Sequence, residues 1–166
     1  MADFILPLSI TMGLVCYGLI AKWYLMPHLR TKPLEEALIP LLLFHSTRYV
    51  GLAFLIPGVT TVPLDPAFAN PAAYGDLLAA LLALLAIFAL RRRVTGALAL
   101  VWIFSIEGFL DLVNALYRGF RLTLDGDLGA TYFIPAVVVP ALLVTHVLVF
   151  RLLLSPRSAV ETAREV

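Results

Sequence analysis

The sequence predicts an all-α integral membrane protein, a bundle of five transmembrane helices with its N-terminus outside and its C-terminus inside. Three observations predict it. Of 166 residues, 61% are hydrophobic and 14% charged, where soluble domains carry about 45–50% and about 25%. Five stretches each hold the roughly 20 apolar residues that a bilayer crossing needs. Lys and Arg gather at one set of the stretch ends. Residues 1–154 then form one transmembrane domain and residues 155–166 a polar cytoplasmic tail. What remains is too short for a soluble domain, which starts near ~50 residues. Disorder is excluded by the apolar content. A net charge of +1 gives no basic field for nucleic acid.

The first span covers residues 4–26. It is long enough to span, and it lacks the positive leader that signal peptides carry, because Asp3 is the only charge before Lys22. Cys16, the sole cysteine, lies inside it, which excludes an internal disulfide. The second span covers 38–59 and is preceded by Lys32-Pro33 with Glu35 and Glu36. That pattern fits a helix start, with Pro in the first turn and acids against the N-terminal dipole. The third covers 71–90, with Asn70 as N-cap and Pro71 at the first helical position. Between Asp76 and Arg91 it has no polar side chain. Ala79, Ala83 and Ala86 share one of its faces and let a neighbouring helix approach closely, within the bundle or at a homo-oligomer seam. The fourth span covers 94–117. The fifth covers 131–154, capped by Asp127 and interrupted by Pro135 and Pro140, which would open space beside it.

Orientation follows from charge. With the N-terminus outside, the inner face holds Lys22, Arg30, Lys32, Arg91, Arg92, Arg93, Arg151, Arg157 and Arg164. The outer face holds Arg118 and Arg121, offset by Asp125 and Asp127. Compactness and Ala/Leu richness add the expectation of a plasma membrane or bacterial inner membrane, with the lipid bilayer as the first partner.

Charged groups at membrane depth cost at least about 2.5 kcal/mol each, so they persist when paired or facing a cavity. At 100° per residue, His45, Arg48 and Tyr49 share one face of the second span. Glu107, Asp111 and Asn114 form a stripe on the fourth, continued by Arg118. His146 lies on the fifth, at a depth matching His45. If these three helices adjoin, the groups form one polar column, with Arg48 paired to Glu107 or Asp111. One carboxylate is then left over, protonated or sharing charge with a histidine.

Four functional readings follow. The first is a small-molecule or lipid ligand site, for binding or proton-coupled transport. In it Arg48 holds an anionic group, Glu107, Asp111 and Asn114 supply polar contacts, and Tyr49, Trp102 and Tyr132 form walls beside His45 and His146. The second is a b-type haem protein with His45 and His146 as axial ligands. The third is an acid–base enzyme, isomerase-like, on an apolar substrate. The fourth is a non-catalytic subunit docked through the featureless third span. No metal-binding HExxH and no phosphate-cradling glycine loop is present. Lys22 and Lys32 sit at the inner face, so no lysine is placed for a Schiff base.

Overall fold

A computed structural model describes residues 4–122 and 126–155. Among these residues every regular element is helical, and five helices are long and apolar enough to cross a membrane: α1 (Ile5–Leu29), α2 (Leu34–Leu55), α3 (Pro66–Arg91), α4 (Ala97–Arg121) and α5 (Gly129–Leu153). Asp125, and the polar tail beyond Ser155, lie outside the described residues.

Helix α3 packs along both α2 and α4, α5 touches α2 and α4, and α1 docks on α5. Only 17% of the apolar window of α1 is buried, against 56% for α5, so α1 is peripheral and α5 central. Gly13 of α1 meets Pro140 of α5, where a Cβ would come within 3.0 Å of the ring. Ser9 and Tyr132 hydrogen-bond between the same two helices at 2.9 Å. The loops at the α2–α3 and α4–α5 connections are also tied together, Thr61 N–H to Asp127 C=O at 3.0 Å and Ala130 N–H to Val59 C=O at 2.9 Å.

Helix ends follow local chemistry, and the start of α3 shifts from the sequence expectation. Helix α2 begins at Leu34, directly after Pro33, with Glu35 and Glu36 in its first turn. Helix α3 begins at Pro66, not Pro71. Asp65 is the N-cap, its carboxylate accepting from Ala67 N–H at 2.7 Å, and Pro66 takes the first helical position. The same cap pairing occurs five residues earlier than expected, and α3 is correspondingly longer. Pro71 therefore lies inside the helix, where it has no N–H for the carbonyl of Ala67. Arg118 of α4 supplies the missing donor, its guanidinium bonding Ala67 C=O at 2.9 Å.

Prolines also shape α1 and α5. Each contains one wide π turn, Ala21–Leu25 and Ile134–Val138. Each closes on the residue before a proline: Met26 N–H reaches Ala21 C=O before Pro27, and Val139 N–H reaches Ile134 C=O before Pro140. A widened turn relieves the clash between a proline ring and the preceding turn.

The second half of α2, Ser46–Leu55, is a 3-10 helix. Such runs rarely exceed 3–4 residues, and this one has ten. Its buried side chains account for it. His45, Arg48, Gly51 and Phe54 are all buried, at a strict spacing of three. Three residues per turn keeps that row on one line, whereas 3.6 would carry its ends to opposite faces.

The alanine stripe is internal. Ala79, Ala83 and Ala86 are fully enclosed within the chain and pack against Leu38, Leu42 and Phe104 in the larger core cluster. This corrects the homo-oligomer reading of that stripe, since a second copy cannot reach it.

Candidate functional site

The site is built around Arg48, whose side chain is fully buried. The 3-10 turn aims it at α3 and α4. Nε donates to Asp76 Oδ1 at 2.7 Å, one terminal nitrogen to Asp111 Oδ2 at 2.6 Å, and the other to the backbone carbonyl of Gly108 at 3.0 Å. Three of its five N–H donors are thus committed. Charge-assisted bonds of this length are the strong kind, and in hydrocarbon they offset the cost of burying the ions.

Three glycines make the approach possible. A Cβ on Gly51 would collide with the Asp76 carboxylate, and one on Gly75 with the Asp111 carboxylate. A Cβ on Gly108 would fall 2.8 Å from an Arg48 terminal nitrogen and 3.1 Å from the His146 ring. Each charged group therefore rests on the bare backbone of a neighbouring helix. The crowding at Gly108 also shows that Arg48 and His146 meet at one point.

Beyond Arg48 the column continues through the histidines. The rings of His45 and His146 lie 4.1 Å apart between centroids, and both side chains are fully buried. Thr145 Oγ1 lies 3.0 Å from His45 Nε2 and 2.9 Å from the carbonyls of Ala141 and Leu142. With its single proton donated to a carbonyl, the hydroxyl accepts from His45 Nε2–H, which leaves Nδ1 as an open acceptor. His146 is held by rings rather than by hydrogen bonds, stacked on Phe104 and Phe150 with the edge of Phe109 against it. Among the described residues, five buried side-chain atoms find no partner: His45 Nδ1, both His146 nitrogens, Ser105 Oγ and Glu107 Oε2. Leaving a buried polar group unpaired costs about 1–3 kcal/mol, so this end of the column is rich in unused hydrogen-bonding capacity.

The structure brings together five of the residues singled out from sequence on the helices surrounding Arg48. His45, Arg48, Asp111 and His146 form the contiguous column, and Glu107 lies one turn from Asp111 on α4. Glu107 is not the partner of Arg48, and Asp76 takes that place. The third span thus contributes a charge to the column, which corrects its reading as featureless. The other four candidates lie elsewhere. Tyr49 is 60% exposed, because at three residues per turn it points about 120° away from Arg48. Asn114 accepts from Arg118 Nε at 3.1 Å within α4. Trp102 packs against Phe150, and Tyr132 is committed to Ser9.

The haem arrangement does not fit these residues. Two axial imidazoles must stand on opposite faces of a macrocycle, but the His45 and His146 rings touch each other. No porphyrin plane passes between them.

Beside the column a narrow apolar cleft with an interior space of about 40 Å³ opens at the end of the bundle where α1 begins. Leu6, Ile10, Phe54, Phe68, Leu112 and Pro135 are among its walls. Among the described residues lining it, Asp76 is the one ionisable group. The carboxylate that holds Arg48 therefore also forms part of the cleft wall.

A family model described as Domain of unknown function (DUF8737) matches residues 5–154. No curated protein and no solved structure matches the chain.

Proposed function

The chain belongs to this DUF8737 family, and from its polar column and adjoining cleft we propose that it binds a small amphipathic ligand within the membrane, with proton exchange at the column coupled to binding. The observation that carries this reading is the double role of Asp76, bonded to Arg48 on one side and lining the cleft on the other. A ligand seated among Phe54, Phe68 and Leu112 would bring its polar end to that carboxylate. Arg48 is already shared by two carboxylates, so the preferred polar end is an amine or a hydroxyl rather than an anion. The unpaired nitrogens of His45 and His146 provide acceptors through which a proton could pass along the column. The Lys/Arg distribution supports an N-out, C-in orientation, and the compactness and Ala/Leu richness of the chain favour a bacterial inner membrane.

The test uses single-chain amphiphiles of equal length bearing amine, hydroxyl, carboxylate or phosphate head groups, added to purified protein in nanodiscs. Amine or hydroxyl probes are expected to raise the melting temperature, and Ala115→Phe, which fills the cleft, is expected to abolish the rise. A preference for the carboxylate probe, or an unchanged response in Ala115→Phe, overturns the assignment. Calorimetric titration in buffers of different ionisation enthalpy reads the proton coupling, and heats independent of the buffer remove it.

A further inference from the structure

A second cavity lies at the opposite end of the bundle, where α1 gives way to α2 and α5 ends. Its floor is apolar, including Leu29, Ala37 and Leu152. Its wall carries three cations, Arg30 and Lys32 from the α1–α2 connection and Arg151 from the last turn of α5. None of the described residues lining it is acidic. We propose that this cavity is a site for an anionic lipid, with a phosphodiester head group held by Lys32 and Arg151 and the start of an acyl chain laid on the apolar floor.

Three observations carry this. First, the cations come from positions about 120 residues apart in sequence and converge on one hollow. Second, the same end of the bundle carries Arg91, Arg92 and Arg93, which do not line the cavity. Arg92 instead lies over the ring of Phe88, 5.0 Å from its centroid. A general excess of positive charge at this face would not by itself build a pocket. Third, the floor and rim have opposite chemistry at the depth where a membrane helix leaves hydrocarbon for head groups. A basic pocket between helices at that level recognises anionic head groups. This inference does not depend on the ligand assigned to the cleft at the other end.

The test compares the full-length protein in nanodiscs of dioleoylphosphatidylcholine with and without dioleoylphosphatidylglycerol. The anionic lipid is expected to raise the melting temperature of the wild type by several degrees. The Lys32→Gln/Arg151→Gln pair is expected to lose most of that rise while melting like the wild type in phosphatidylcholine alone. Arg92→Gln, outside the cavity, is expected to keep it. Should Arg92→Gln lose as much as the pair, the effect is general surface charge and the site is disproved. A rise reproduced by inorganic phosphate in phosphatidylcholine discs would assign the cations to a free phosphate and overturn the lipid. If the pair melts early in phosphatidylcholine, the single variants are compared through phosphatidylglycerol retained after delipidation, where wild-type retention in both disproves the site.

Discussion

At the scale of single residues, Arg48 is the group on which the interior depends. Removing it leaves Asp76 and Asp111 facing each other in a buried space without a counter-charge. Breaking a buried pair by deleting one partner typically costs about 3–5 kcal/mol, so Arg48→Leu should destabilise the protein by that order. Neutralising Asp111 in the same chain should recover part of the loss. Denaturation in mild detergent of Arg48→Leu, Asp111→Asn and the double variant measures the coupling, which for groups in contact falls between about 0.5 and 3 kcal/mol. Additive losses would contradict the ion pair. Sequence alone located Arg48 and Asp111, because an isolated charge in an apolar run stands out. It passed over Asp76 for a definable reason. With Pro71 taken as the helix start, Asp76 sat within the first two turns, at the membrane surface. With Pro66 as the start it moves about 7.5 Å deeper, to where it can meet Arg48. Asp65-Pro66 was the signal that could have placed it.

At the scale of elements, span existence was legible from hydropathy, while internal geometry was not. Periodicity analysis assumes 3.6 residues per turn, and α2 abandons that period at Ser46. Tyr49 was assigned inward under the α-helical period and points outward under the 3-10 period. The spacing of His45, Arg48, Gly51 and Phe54 was visible in the sequence, but a helical wheel spreads those positions around the axis. The accommodation of Pro71 shows a second kind of information that single-span reasoning misses. Its donor, Arg118, is 47 residues away on another helix. Arg118→Leu should strip the Ala67 carbonyl of that bond at a cost of about 0.5–1.5 kcal/mol. Pro71→Ala restores a backbone N–H at the right place, so adding it to Arg118→Leu should recover stability. Thermal unfolding of the two single variants and the double variant checks this, and failure of Pro71→Ala to compensate would show that Arg118 acts through another contact.

At the scale of the whole molecule, five helices are long and apolar enough to cross a membrane, and the proposal that all five cross places Phe4 and Leu154 on opposite sides of it. Hydropathy and the Lys/Arg distribution lead to this arrangement independently. In a Cys16→Ser background, a cysteine at Phe4 should react with a membrane-impermeant maleimide from outside intact cells, and one at Leu154 only after lysis. Labelling of both from the same side would remove one of the crossings. The fold also separates two unlike hollows, an apolar cleft with one carboxylate at one end and a cation-rimmed cavity at the other. Between them lies packed core, with Leu38, Leu42, Val101 and Phe104 fully buried. Sequence gave the charge asymmetry of the two ends but not the hollows, which arise from how residues distant in the chain meet.

The bare-backbone seats under the charged groups bear on how such a protein can vary over time. Position 75 must remain without a side chain only while position 111 carries its carboxylate, and position 51 stands in the same relation to position 76. A lineage that lost either acid would release its paired glycine from constraint. One that replaced a glycine first would suffer at once, because the acid would have nowhere to go. Natural descendants of this chain should therefore lose the acids before the glycines, so that a history of substitutions runs in one order and not the other.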